Sequence, residues 1–198
     1  MVDFKDNKND SIFVFEGVHN TIVNSIRRAI LEEVPCFAIE DVEVVKNGSP
    51  LYDETVAQRL GLIPLKTDLQ SYNLKSECKC NGVGCAMCEV KLNLKQEEPG
   101  YVYSGSITSD DPQIIPVDKE IPITKLFNSN VLELNLKAVL GSGKEHAKWA
   151  PAHTYLRETE DKKIELVVEP FGQLDSKTIY NAAIDVLVEK LNKLEEQL

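Results

Sequence analysis

The sequence predicts an α+β protein in which the two chain ends form one domain and the middle of the chain forms a second, mostly β domain. Amphipathic helical patterns lie near both ends, whereas short alternating patterns typical of strands fill the middle. The net charge is −4 over residues 1–48, −1 over residues 49–157 and −5 over residues 158–198. The similar charge of the two ends fits one domain built from both termini, with a second domain inserted between them.

The composition is that of a folded globular protein rather than a disordered chain. The 198 residues are 42% hydrophobic and 27% charged, and the formal net charge is −10. Because phosphate contacts need clustered Lys and Arg, the acidic chain is a poor candidate for direct, sequence-specific DNA binding. No apolar run is long enough to cross a membrane, and the first residues lack a signal-peptide pattern. We therefore expect a cytoplasmic protein without membrane contact.

An amphipathic helix is predicted near the N-terminus, after a strand pattern at residues 11–16. Ile22, Ile26 and Ile30 recur at four-residue spacing, which places them on one side of a helix. Pro35 ends the pattern because proline cannot continue a helix. An apolar stripe of this kind must be buried somewhere.

Two adjacent arginines, Arg27 and Arg28, lie off this apolar stripe, since successive helical residues are about 100° apart. On an acidic chain they are either an ordinary solvated surface or a docking point. The second interpretation rests on the tendency of arginine to form bidentate, weakly hydrated contacts at interfaces.

Strand patterns separated by turn signals fill the middle of the chain. A short helix is predicted over residues 53–60, ended by Gly61. Apolar and polar residues alternate clearly after the last clustered cysteine. The remaining predicted strands are residues 39–45, 90–95, 101–107, 114–116, 131–139 and 164–169.

A long helix is predicted from Ser176 to Leu198. Its last apolar residues are spaced by four, three and four positions, which is typical of a helix that packs against another helix. A helix at a chain end frays unless it is docked, so this one needs a surface on its own chain or on another. The apolar positions are Ile179, Ala183, Val186, Leu187, Leu191, Leu194 and Leu198.

Four of the five cysteines form a compact array, Cys78, Cys80, Cys85 and Cys88. Thiolates bind Zn²⁺ tetrahedrally, and glycines between the two cysteine pairs let a short loop fold round one ion. Four thiolates leave no position for water, so the predicted zinc site is structural rather than catalytic. The alternatives are an iron–sulfur cluster, although the spacing differs from the common ferredoxin pattern, and no metal at all, with two disulfides or free thiols.

No catalytic constellation is visible in the sequence. His19, His146 and His153 are scattered and are expected to cap helices or to lie at the surface. Cys36 is expected to be a small buried apolar residue. The chain has no phosphate-loop, dinucleotide-binding or zinc-protease motif. We therefore expect no catalytic residues in this chain.

Three motifs resemble those of the RNA polymerase α-like subunits. Residues His19–Pro35 resemble the first-helix signature of this family, Asp53–Leu65 its second signature, and His146–Pro151 a third. The cysteine array is similar to the zinc loop of the eukaryotic members. The family includes the bacterial α subunit, the archaeal D-type polymerase subunits and the third-largest subunit of eukaryotic polymerase II, and the resemblance is greatest to the archaeal members.

The resemblance implies a dimerisation domain of two helices on a small antiparallel sheet, built from both chain ends over residues 1–48 and 158–198. An inserted, mostly β domain would occupy residues 49–157. It also implies a non-catalytic subunit of a nucleotidyltransferase, the DNA-directed RNA polymerase. Such a subunit pairs with a small L-type subunit, docks the large catalytic subunits and contacts the small archaeal N-type and P-type subunits. The partner-binding residues would be Ile22, Ile26, Arg27, Arg28, Ile30, Ile179, Ala183, Leu187, Leu191 and Leu194.

Two other functions are compatible with parts of the sequence. A stand-alone zinc-loop module that binds protein or nucleic acid would need a basic face near the cysteines, but four lysines against two glutamates there give only a slight positive excess. A small hydrolase would need a nucleophile–base pair, and no such pair is recognisable.

Overall fold

The computed structural model describes residues 2–7, 10–128 and 130–197. Within them it has three α-helices, ten strands and two short 3-10 helices at Ser104–Ser106 and Ala147–Trp149. The helices are α1 (Asn20–Glu32), α2 (Asp53–Gly61) and α3 (Ser176–Glu195). The strands are β1 (Val2–Asp6), β2 (Ser11–Phe15), β3 (Cys36–Asn47), β4 (Glu89–Gln96), β5 (Gly100–Tyr103), β6 (Ile107–Ser109), β7 (Pro122–Leu126), β8 (Leu132–Gly141), β9 (Ala152–Glu158) and β10 (Ile164–Pro170).

The chain forms two compact units, and the predicted α+β class is confirmed. Unit 1 consists of residues 1–35 and 142–198, and unit 2 of residues 36–141. These boundaries lie before the expected ones at 48/49 and 157/158. The difference arises because β3 pairs along most of its length with β8 and so belongs to the insert, whereas β9 pairs with β10 in the sheet of the chain ends.

Unit 1 is a four-stranded antiparallel sheet, in the order β1-β2-β10-β9, whose inward-facing residues share one core with α1 and α3. Phe13 and Phe15 of β2 and Leu166 of β10 are buried in this core. The ring of Tyr180 in α3 stacks on Phe13 with the ring centroids 4.3 Å apart. The sheet and both helices therefore bury one continuous apolar core.

Both ends of α1 are closed by hydrogen bonds within unit 1. At its start, the imidazole Nδ1 of His19 accepts a hydrogen bond from the backbone N–H of Thr21 at 3.3 Å. At its end, the backbone N–H of Lys144 donates to the carbonyl of Glu32 at 2.9 Å. Gly143 allows this approach, because a Cβ atom there would collide with the backbone of α1.

Unit 2 contains a four-stranded antiparallel sheet in the order β3-β8-β4-β6 and a two-stranded sheet formed by β5 and β7. Val90, Leu92 and Leu94 of β4 are buried and alternate with exposed polar residues, as the sequence predicts. Leu60 of α2 packs in the same core. This core supports the loop that carries the four cysteines.

Several elements differ from the sequence predictions. The strands β1, β7 and β9 were not expected. The strand expected at 101–107 is two strands separated by a 3-10 turn, and 114–116 contributes only a single bridge between Pro116 and Leu65. Leu198, the last residue of the predicted helix, lies outside the described residues. No described helix combines the length and apolar character needed to span a bilayer.

Candidate functional site

The four clustered cysteines lie in the loop between α2 and β4. Cys78 and Cys80 precede a sharp reversal of the chain, and Cys85 and Cys88 follow it. The reversal uses left-handed backbone conformations, with φ of 81° at Gly82 and 99° at Gly84. It brings both cysteine pairs to the same point.

The four sulfurs have the spacing of a single tetrahedral metal site. All four Sγ atoms lie within 4.8 Å of one another. The Cys78–Cys85, Cys80–Cys88 and Cys85–Cys88 Sγ separations are 3.5, 3.6 and 3.9 Å. A tetrahedral ion with Zn–S bonds of about 2.3 Å needs sulfurs about 3.8 Å apart. No cysteine is in a disulfide, so the donor set fits one thiophilic ion with four protein ligands.

The surroundings of Cys80 and Cys88 shift the pKa values of these two thiols in opposite directions. The backbone N–H of Gly84 is the main cause that lowers the pKa of Cys80 to about 6, whereas burial raises the pKa of Cys88 to about 12. Binding a metal at all four sulfurs therefore requires the release of thiol protons, and affinity should fall as the pH falls.

Glu89 fixes the end of the cysteine loop to the sheet. Its side chain is only 12% exposed and lies 3.9 Å from the ammonium of Lys75 and 3.8 Å from that of Lys137. A cleft of about 640 Å³ opens beside the loop. On its wall the hydroxyl of Tyr72 donates to Asp111 Oδ2 at 2.5 Å. Glu89 and Asp111 are thus paired with other side chains of the chain, and these residues do not form a nucleophile–base arrangement.

Four of the predicted partner-binding residues are buried in the core of unit 1 rather than exposed at its surface. Ile26, Ile30, Ile179 and Ala183 are at most 4% exposed. The apolar stripe of α1 and the first half of α3 pack against the sheet of their own chain. These four side chains therefore stabilise unit 1, and in the isolated chain they are not exposed at its surface.

Other predicted residues remain exposed. Ile22 on α1 is 56% exposed, and Leu191 and Leu194 on α3 are 64% and 53% exposed. Leu187 is half-buried, and Val188, which the sequence analysis did not single out, is 49% exposed. Every described residue from 191 to 197 is exposed. The end of α3 therefore offers two turns of helix with large apolar side chains in contact with solvent.

The two arginines have different environments. The Nε–H of half-buried Arg27 donates to Asn24 Oδ1 at 3.0 Å, which holds the side chain along α1. Arg28 is exposed and forms an ion pair of 3.3 Å with Glu32 one turn later. A second ion pair, between Lys190 and Glu33, joins α3 to the end of α1. Arg28 therefore remains accessible to a partner.

Comparisons with known proteins relate the chain to transcription. Residues 42–155 match the family described as the RNA polymerase Rpb3/RpoA insert domain. Three similar curated proteins are each named DNA-directed RNA polymerase subunit Rpo3. The one from Methanosphaera stadtmanae is 48% identical over 73% of this chain and 55% of its own length. The one from Pyrococcus furiosus is 44% identical over 79% of this chain and 58% of its own length. The one from Picrophilus torridus is 39% identical over 84% of this chain and 68% of its own length.

The chain thus spans little more than half the length of the first two of these relatives. The matched insert-domain segment, 42–155, contains the entire cysteine loop and most of unit 2. The similarity therefore includes the candidate metal site.

Proposed function

The chain belongs to the Rpb3/RpoA family of RNA polymerase subunits, and from this premise we propose that it is a non-catalytic assembly subunit of a DNA-directed RNA polymerase. The observation that carries the proposal is the solvent-exposed apolar end of α3. Leu191 and Leu194 are more than half exposed on a helix that its own unit leaves uncovered there. Large exposed apolar side chains grouped in this way are typical of a protein interface.

We expect the exposed end of α3 to pair with a small L-type subunit. Leu187, Leu191 and Leu194 follow one another at four- and three-residue spacing, which suits packing against a partner helix. Ile22, which is 56% exposed at the start of α1, would be a further apolar contact with a partner. The buried residues of both helices support the interface by holding α1 and α3 on the sheet.

The large polymerase subunits would dock at the arginine pair. Arg28 is exposed, and its only described ion pair is the intrahelical one with Glu32. An exposed intrahelical pair contributes little to stability, so the guanidinium can exchange Glu32 for a carboxylate of a partner at small cost. Small N-type and P-type subunits would complete the assembly, and phosphoryl transfer would take place on other chains.

The metal that best suits the four cysteines is zinc, in a structural role. Its Lewis acidity would hold four thiolates together and replace the apolar core that so short a loop lacks. The one-ion spacing of the sulfurs favours zinc over a [4Fe–4S] cluster, in which each of the four cysteines binds a different iron atom.

A stand-alone binding module is the weaker alternative. The relatives are named as polymerase subunits. The excess of lysine round the cysteine loop is slight, and Glu89 bridges two of the lysines. This arrangement does not provide the basic surface that nucleic-acid binding requires.

The test is coexpression with an archaeal L-type subunit. The parent chain should form a soluble one-to-one complex, and Leu191→Asp with Leu194→Asp should abolish it, because two carboxylates would be buried in an apolar interface. Val45→Asp is the matched control, since Val45 is 53% exposed but lies in unit 2. Equal recovery of the complex with the double variant would refute the proposed interface.

A further inference from the structure

One face of the two-stranded β5–β7 sheet is unusually aromatic. Along these strands the inward side chains, such as Val102 and Leu126, are completely or almost completely buried in unit 2. The alternate side chains project outward. They include Tyr101, Tyr103 and Lys125, and the exposed Phe127 directly follows β7. We call these four residues the aromatic face.

The three rings of the aromatic face are exposed to solvent. Tyr101, Tyr103 and Phe127 are 58%, 41% and 51% exposed. The outer face of an antiparallel sheet is ordinarily polar, and exposed aromatic residues are enriched where proteins contact one another. This face therefore has the composition of an interface rather than of a free surface.

A lysine already occupies part of the aromatic face. The ammonium of Lys125 lies 4.9 Å from the ring centroid of Tyr101 and 5.3 Å from that of Phe127. The rings of Tyr101 and Tyr103 are 6.0 Å apart. No described cation lies over Tyr103, so its ring is available to a second cation at the other end of the row.

Two exposed acidic residues, Asp118 and Glu120, lie in the segment that is hydrogen-bonded to the end of β5. The hydroxyl of Ser104 donates to the carbonyl of Asp118 at 2.6 Å, which holds the segment of Asp118 and Glu120 alongside the end of β5. Both acidic side chains are exposed and have no described ion pair. At the opposite end of the row, Glu98 is also exposed.

We propose that the aromatic face binds an extended segment of another polypeptide that carries arginine. The guanidinium would stack on Tyr103 and pair with the carboxylate of Glu120, because arginine combines a planar face for aromatic stacking with a fork of donors for carboxylates. The chain is acidic overall, with a net charge of −10, which favours such a partner and disfavours the phosphates of a nucleic acid. This proposal does not depend on the pairing through α3.

Fluorescence anisotropy of labelled peptides tests the proposal with the full chain. The probe is a fluorescein-labelled pentapeptide of glycine with two arginines. Its matched controls replace arginine by neutral citrulline or by glutamate, and a labelled oligouridine tests nucleic acid. We expect the arginine peptide to bind at least about tenfold more tightly than the citrulline peptide, because citrulline keeps the shape but loses the charge.

Variants locate the binding on the aromatic face. Tyr103→Leu and Glu120→Gln should each weaken arginine-peptide binding severalfold. Tyr155→Leu, a partly exposed tyrosine in unit 1, should leave it unchanged. Equal affinity for the citrulline peptide, tighter binding of the glutamate peptide or oligouridine, or an unchanged affinity in both aromatic-face variants would overturn the proposal.

Discussion

Replacing Ile30 by alanine tests whether the apolar stripe of α1 belongs to the core of its own chain. Ile30 is fully buried in unit 1. The substitution removes three carbon atoms, each worth about 0.8 kcal/mol on burial, and leaves a cavity. We therefore expect the free energy of unfolding to fall by about 3 kcal/mol, within the range usual for buried isoleucine. Leu191→Ala is the matched comparison, because Leu191 is 64% exposed and should change the free energy by less than about 0.5 kcal/mol.

The single tryptophan makes this measurement specific to unit 1. Trp149 is 5% exposed and lies in the unit formed by the chain ends. Its fluorescence during urea unfolding therefore follows unit 1 separately from the insert. A loss below about 1 kcal/mol for Ile30→Ala, or an equal loss for Leu191→Ala, would refute the assignment of the α1 stripe to the core.

Three further outcomes follow from particular side chains. Thr154 Oγ1 is buried without a hydrogen-bond partner, so Thr154→Val should raise the free energy of unfolding of unit 1 by about 1 kcal/mol. Thr178→Val is the control and should lower this free energy, because the Thr178 hydroxyl donates to Asp175. A lower free energy of unfolding in Thr154→Val would contradict the explanation. Hydrogen bonds from Thr178 and from the first amides of α3 lower the pKa of Asp175 in the folded protein. The contribution of Asp175 to the free energy of unfolding is therefore complete above the pKa of an unfolded aspartate. This contribution is lost as the pH falls through the lower pKa of the folded state. Asp175→Asn should flatten that part of the pH dependence of unfolding, and an unchanged profile would count against the cap. Metal analysis should find about one zinc per chain, which is lost in the double variant Cys85→Ser with Cys88→Ser but retained in Cys36→Ala. Loss of zinc should leave the urea unfolding transition of unit 1, followed by Trp149 fluorescence, unchanged. Full retention of zinc in the double variant would refute the site.

The sequence predicts elements well where one pattern is sufficient to define them. The spacing of Ile22, Ile26 and Ile30 predicts α1, and the alternation after Cys88 predicts β4. The cysteine cluster is equally local, because glycine turns bring four residues together within one loop. Such features depend on neighbours in the chain and not on the rest of the fold.

The side of each helix that meets a partner could not be predicted in this way. An apolar stripe has the same periodicity whether it packs on its own sheet or on another chain. The burial of Ile30 and the exposure of Leu194 depend on where the sheet of unit 1 ends beneath α3, and pairing between distant strands decides this. The strand β9 was not predicted, because its exposed residues are the mixed set His153, Tyr155 and Arg157. Such a set does not give the clear alternation of apolar and polar residues that indicates a strand.

Hydrogen exchange across the end of α3 tests the central claim most directly. The amides of residues 191–197 should exchange rapidly in the isolated chain, because every described side chain there is exposed. Addition of a small archaeal L-type subunit should slow their exchange by at least about tenfold, while the amides of α2 in unit 2 keep their rates. A complex that forms without any slowing at residues 191–197 would contradict the proposed role of α3 in assembly.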